Sequence, residues 1–461
     1  MLLANIIRTL PTEEIARVRK ESRLSKRSMK LFDLIVLSSA SPPKSAELCK
    51  KLKITPENLY RIYSEIVSEC LRVLAPKEHL GTLAFFCSKF LYRPFISEYK
   101  RLEKNFLMAN DKENLELLYE YVFKKSSQFS THQIDLHLTE EIGRKWLRSQ
   151  KHPAPDDDFY ITLRMIYLHI AIFPARKTMT IADIRSHGQK LLKPVRKRAA
   201  KTSNVLARYY YYLAEAEASE DDSEMLGWMR RCLYVVRSHP EKFSSGREEG
   251  IELAIAYELG TKWGKAADAL QTYRKYYHGQ TPDSSAGVFF LLRFIRVAFV
   301  AKDFETAWKI LKLFMQYHIV QATPHIYRMT VIMQAKLELI EGSLDLAEQT
   351  IQTARKLMKE KYHLSDEVRV RGLETTIAFK LGKYEFADRL IQRNIKWLHL
   401  RKMNLSYTAW IYYYHMLADL IRYRMTKEPI RRKVLERFRT DFRFDEPEFF
   451  LLLEPEILKL Q

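Results

Sequence analysis

Four alanines, Ala266, Ala307, Ala347 and Ala387, recur along this chain at intervals of 41, 40 and 40 residues. Each closes a short signature that opens three positions earlier on a large residue: Trp263, Phe304, Leu344 and Tyr384. A fixed stride in this range marks an array of repeated supersecondary units, each unable to bury its apolar face alone. Any fold proposed for the chain has to accommodate that stacking.

Four residues after each alanine stands an aliphatic residue (Leu270, Leu311, Ile351, Ile391), and ten after it a large apolar or aromatic one (Tyr276, Tyr317, Leu357, Trp397). Side chains at such offsets share one face of a helix. The alanine leaves room for a second helix to approach, and its bulky neighbours fill the space around that contact. Another apolar helical stretch precedes each signature and ends in a short break, such as Leu259-Gly260-Thr-Lys, Glu341-Gly342-Ser or Leu381-Gly382-Lys. Glycine suits the left-handed conformation that closes a helix. Helix, tight turn and helix, repeated, make an all-α solenoid of hairpins.

The run Gly382-Lys-Tyr384-Glu-Phe-Ala387-Asp-Arg-Leu-Ile391 resembles the second-helix signature of tetratricopeptide (TPR) repeats. The units here are longer than the usual ~34 residues. The small residue of that family seven positions after the alanine is kept only as Ala354; Tyr273, Phe314 and Asn394 replace it elsewhere. The likeness is clearest over 246–400 and implies a right-handed TPR-like solenoid with a concave surface that holds a peptide or helix. Degenerate helix pairs, 159–173 with 180–199 and 202–218 with 222–238, extend the repeat region to 156–400. The stiff segment Lys151-His-Pro-Ala-Pro-Asp-Asp-Asp separates it from a helical connector over 76–155. After Leu400, a Tyr-rich helix (405–425), a basic helix (428–439) and the acidic-apolar end Asp445-Glu-Pro-Glu-Phe-Phe-Leu-Leu-Leu-Glu are expected to cap the open end of the array over 401–461.

Residues 1–75 read as a small separate domain with four helices over 11–74. Within it Leu48, Leu52, Ile54, Leu59 and Ile62 occupy the apolar positions of a helix-turn-helix, Thr55 is a natural N-cap and Pro56 fits the first helical turn. The resemblance is to helix-turn-helix units, with Lys53 where the turn usually carries glycine. In a DNA reader the start of the second helix would meet base edges through Asn58, Tyr60 and Arg61, beside Glu57, while Lys44, Lys50, Lys51 and Lys53 would take phosphates. The same units also serve as protein-docking domains. The domain order resembles bacterial transcription regulators that join an N-terminal helix-turn-helix to a peptide-sensing TPR domain.

A formal charge of +21 suggests an acidic partner: nucleic acid, a ribosome-like particle, a membrane surface or an acidic protein. Two basic clusters, Lys193–Lys201 and Arg431–Arg439, are either solvated helix ends or a nuclear address or nucleic-acid patch. Cys49, Cys70, Cys87 and Cys232 form no C-x-x-C pair, so solitary thiols in a reducing, cytoplasmic setting are expected. The apolar start Met1-Leu-Leu-Ala-Asn-Ile-Ile-Arg lacks a basic lead and is too short for a signal peptide. The longest apolar run, 287–301, is interrupted by Arg293 and Arg296, so no membrane span is expected.

Catalytic signatures are missing. Gly260-Thr-Lys-Trp-Gly264-Lys265-Ala266 fails as a phosphate-binding loop because Leu259 stands where its first glycine belongs and Ala266 has no hydroxyl for a metal. His132 and His137, five apart, fall on different helix faces, and no metal-ligand set is recognisable. The expectation is a non-enzymatic scaffold without metal or cofactor, binding a protein or peptide partner. The alternative is a helix-turn-helix regulator whose TPR-like domain senses a ligand. The Tyr209–Tyr212 and Tyr412–Tyr414 runs suit packing between helices better than a shared groove, since consecutive helical positions diverge.

Overall fold

The computed structural model describes residues 2–10, 12–37, 45–77, 80–89, 91–126, 134–151, 153, 156–176, 181–219, 221–244, 246–277, 285–317, 320, 324–358, 364–400, 408–442 and 446–459. Among these no strand occurs, and the helices pack chiefly against their neighbours in sequence. The chain is all-α.

The first helices are α1 (Leu2–Thr9), α2 (Thr12–Glu21), α3 (Lys26–Leu37), α4 (Ser45–Leu52) and α5 (Pro56–Leu74). The apolar start is thus a helix of its own, preceding the four expected over 11–74, and Leu3, Ile6, Ile7 and the following Leu10 are buried. All four of the others pack on α5, the longest, through its buried stripe Leu59, Ile62, Ile66, Cys70 and Val73. Helices α6 (Gly81–Ser88), α7 (Tyr92–Met108), α8 (Lys112–Lys125) and α9 (Leu136–Ser149) continue the stack, each on the next. Asp111 and Asp135 start α8 and α9 by accepting from the backbone N–H groups of Asn114 and Leu138, both at 3.1 Å.

Then follow α10 (Asp157–Arg176), α11 (Ile181–Leu192), α12 (Arg196–Ala199), α13 (Val205–Ala218) and α14 (Asp222–Ser238). The helix expected over 180–199 is broken between α11 and α12, where Pro194 has no N–H to continue it. The main partner of α10 is α13 rather than α11. Helix α9 packs on α10, so one apolar core runs from Leu3 to Ala218 across the proline segment. Both tyrosine runs enter cores: Tyr209 and Tyr211 are buried, as are Tyr413 and Tyr414. Arg164, fully buried, donates to the carbonyls of Phe123 (2.6 Å) and Lys124 (3.0 Å) and so closes the end of α8.

Four hairpins complete the stack: α15 (Arg247–Lys262) with α16 (Ala266–Tyr276), α17 (Ser285–Val300) with α18 (Phe304–Gln316), α19 (Pro324–Ile340) with α20 (Leu344–Leu357), and α21 (Leu364–Lys380) with α22 (Tyr384–Leu400). Three of their turns are equivalent. Lys302, Gly342 and Gly382 adopt φ of +60°, +79° and +73°, and the next residue's N–H reaches back to the carbonyl of Ala298, Glu338 or Ala378 at 2.9–3.0 Å. That arrangement satisfies carbonyls a helix end otherwise leaves bare. The signature residues Phe304 and Tyr384 then open the second helix and pack on Phe299 and Phe379, with ring centroids 5.3 and 6.0 Å apart.

The first hairpin is in a different register. Its left-handed residue is Gly264 (φ +71°), not the expected Gly260, which lies inside α15. Counting five residues from each turn gives Ala269, Ala307, Ala347 and Ala387, all 0–2% exposed. Ala266 is instead the first, half-buried residue of α16, and Trp263 is 46% exposed at the end of α15. Gly260 is needed for contact: a Cβ there would sit 2.6 Å from the Cβ of Ala269.

After α22 come α23 (Thr408–Thr426), α24 (Arg432–Arg437), a π-helical turn (Phe438–Phe442) and α25 (Pro447–Leu458). No described helix is long and apolar enough to cross a membrane.

Candidate functional site on the inner face of the hairpin stack

Of the first helices, α15 packs on α17, α19 on α21, and α21 on the following α23, whereas α17 and α19 share no contact of that extent. No contact of that extent joins the second helices. The first helices therefore form one layer of the stack, the inner one, on which the terminal helix lies. The terminal helix α25 lies on this layer, against α17 and α19. The acidic-apolar end thus does more than cap the last hairpin: it folds back across the earlier ones.

Its apolar residues explain the seat. Phe449, Leu452 and Leu453 are fully buried. The Phe449 ring meets Trp410 and Tyr413 edge-on, at 4.8 and 5.6 Å, and Phe450 stacks on Phe438 at 5.2 Å. Gly372 of α21 makes this possible, since a Cβ there would lie 2.5 Å from Trp410 and 3.1 Å from Phe449.

The acidic residues explain the orientation. Each glutamate meets a cation from a different part of the stack. Arg369 of α21 donates to Glu446 at 2.9 Å, and Arg296 of α17 donates to Glu448. At the other end Lys302 pairs with Glu454 at 2.8 Å and Arg424 of α23 with Glu456 at 2.6 Å. The first two pairs are the less exposed ones, with Arg296 23% and Arg369 24% exposed. Glu448 is fully enclosed, and Lys336 of α19, only 3% exposed, holds its ammonium 4.5 Å from the Phe449 ring centroid. Burial works to raise the Glu448 pKa, but Arg296, Lys336 and Arg369 outweigh it and hold the carboxyl well below the usual range. Burial lowers the Lys336 pKa to about 8, against the pull of Glu448 and Glu446. Beside this cluster Arg328 and Asp366, each 2% exposed, join α19 to α21 at 3.2 Å.

Elsewhere the basic clusters are partly neutralised. Arg196 pairs with Glu215 at 2.7 Å and Arg198 with Asp156 at 2.8 Å, while Arg431 pairs with the buried Asp419, also at 2.8 Å. A groove bounded by α20, α21 and α22 carries exposed Phe386, and Arg371 there lies 4.4 Å from the Trp397 ring.

The described residues singled out at the N-terminus stand in solvent. Lys50, Lys51, Lys53, Asn58, Tyr60 and Arg61 are all exposed, Tyr60 at 69%, while Leu48, Leu52, Leu59 and Ile62 face inward. Lys53 occupies the turn with φ +52°, and Thr55 accepts from the Asn58 N–H at 3.4 Å. Lys51 is paired with Glu47 at 3.0 Å. Lys44 and His132 lie outside the described residues.

Sequence reasoning missed Arg296, Lys336, Arg369, Glu446 and Glu448 as a group. The acidic end was visible, but the partners lie up to 152 residues away and carry no local pattern. The fold and this cluster define the class of molecule: an all-α stack of helical hairpins with a charged, occupied inner face. Comparison with protein-family models and with curated proteins gives no match to the chain.

Proposed function

We propose that the protein is a non-enzymatic, TPR-like scaffold whose inner face binds an acidic amphipathic helix of a partner protein. The observation that carries this reading is the cation set Arg296, Lys336 and Arg369, disposed around the glutamates of a helix that is itself acidic and apolar. A helix laid in a groove gains affinity from apolar anchors and selectivity from complementary charge. The test is titration of the full chain with a synthetic helix of sequence 446–459. Binding that weakens when the peptide's glutamates become glutamines, or when the chain carries Arg296→Gln with Arg369→Gln, supports the reading. Binding indifferent to those charges counts against it.

A second reading draws on the exposed group Lys50, Lys53, Asn58, Tyr60 and Arg61 beside a capped helix start. It makes the first 75 residues a helix-turn-helix that meets duplex DNA while the repeats sense a ligand. The full chain, titrated with duplexes of different sequence over a salt series, decides this. Affinity that is equal for all sequences and vanishes near physiological salt removes it.

A further inference from the structure

We propose that residues 446–458 are a resident, displaceable occupant of the inner groove, standing where a partner's acidic aromatic helix docks and keeping the site closed until that helix competes it away. This rests on the scaffold reading above and adds its regulation and the chemistry of the competitor.

Three observations support it. The segment binds as a foreign helix would: it enters from far along the chain and carries all four of its glutamates onto cations of separate elements, Arg369, Arg296, Lys302 and Arg424. Its fit is also incomplete. Oε2 of Glu448 is buried with no hydrogen-bond partner, and among the described residues the Lys336 ammonium forms no direct ion pair, lying 4.5 Å from the Phe449 ring centroid. Two carboxylates, Glu446 and Glu448, thus answer three cations. A helix with the same adjacent aromatics and one more carboxylate on its first turn would give the Lys336 ammonium the direct ion pair that the resident does not make. Finally, two of the four contacts sit at the rim, where Lys302 is 58% and Arg424 38% exposed, so release can begin at the Glu454–Glu456 end.

The alternative is that 446–458 is ordinary core. Substitutions on the two sides of the contact separate these cases, because both break the same ion pairs but only one damages the groove. The probe is a fluorescent synthetic peptide of sequence 441–461, added to the full chain. The unmodified chain should bind it weakly. Glu446→Gln with Glu448→Gln, which loosens the resident, should raise affinity at least tenfold. Arg296→Gln with Arg369→Gln, which loosens it equally, should not. If the glutamate variant and the unmodified chain bind alike, the groove exists but is not gated, and the proposal falls while the scaffold reading stands. If hydrogen exchange shows 446–458 freed in the glutamate variant and the peptide still does not bind, the scaffold reading falls with it. Should that variant not fold, the unmodified chain decides: excess peptide must speed exchange of the 446–458 amides at least tenfold, and unchanged exchange overturns the proposal.

Discussion

The two ends of this chain use positive charge in opposite ways. Around α5 the cations Lys50, Lys51, Lys53 and Arg61 all stand in solvent, over an apolar interior that contains none of them. In the hairpins Arg296, Lys336 and Arg369 lie in or beside the core, set against carboxylates of the last helix and its cap. Exposed charges in water interact weakly and with many partners, whereas enclosed ones are expensive unless a specific counter-charge is supplied. A formal charge of +21 therefore says little about function until the charges are placed. The exposed set can attract a polyanion of any kind, and the enclosed set selects one arrangement of carboxylates.

The contrast breaks most clearly at Glu448. Glu448→Ala leaves the buried Lys336 and the part-buried Arg296 without this carboxylate and should cost about 3–5 kcal/mol, read as a fall in the urea midpoint of the hairpin half. Lys51→Ala, which removes an exposed pair one turn along α4, should stay within about 0.5 kcal/mol. Equal losses would mean that enclosure is not what distinguishes the two regions.

Titration gives the next largest effect. Lys336 ionises near pH 8 when folded and near about 10.4 when unfolded. Between those values the unfolded chain holds more protons, so stability rises with pH across the window, and the penalty of the enclosed ammonium is fully felt below it. The gain is on the order of 3 kcal/mol. The buried tyrosines, such as Tyr273 and Tyr413, have raised pKa values and act in the opposite sense above pH 10. Comparison with Lys336→Met cancels them. If the two chains show parallel stability curves between pH 8 and 10, Lys336 is not held as described.

How much of this the sequence discloses depends on range. The all-α class, the hairpins and the equivalent alanines at 307, 347 and 387 are legible, because a 40-residue stride and helical offsets are local patterns. The first hairpin misleads because Trp263 and Ala266 imitate the signature, while the turn itself falls at Gly264 and makes Ala269 the contact residue. The extra helix at 2–9 was hidden by its brevity, and the α11–α12 break by the expectation of a full-length helix across Pro194. The buried charge cluster was not legible at all, because nothing near Arg296 or Lys336 announces Glu448.

Register supplies a third comparison, within the hairpins. Ala269→Leu pushes into Gly260 of α15 and should cost about 1–3 kcal/mol by overpacking. Ala266→Leu, on a half-exposed first turn, should change stability by less than about 0.5 kcal/mol. Reversal of that order would restore Ala266 as the contact residue.

The smallest predicted effect tests the turns that set the stride. Lys302 pays for a left-handed backbone that Gly342 and Gly382 adopt freely at the same place. For a residue with a Cβ that conformation costs roughly 1–2 kcal/mol, and glycine returns part of the gain as unfolded-state entropy. Lys302→Gly should therefore stabilise the chain by about 0.5–1 kcal/mol, and Gly342→Ala should destabilise it by about 1 kcal/mol. No atom lies within 4 Å of a Cβ built at Gly342, so its loss would come from the backbone alone. Lys302 also reaches Glu454 across 2.8 Å, an exposed pair whose removal subtracts a few tenths of a kcal/mol at most. Lys302→Asn, which tolerates the left-handed region while also removing that pair, separates the two contributions. Opposite signs for the Lys302 and Gly342 changes are what equivalent turns require, and a shared sign would show that the hairpins are not built alike.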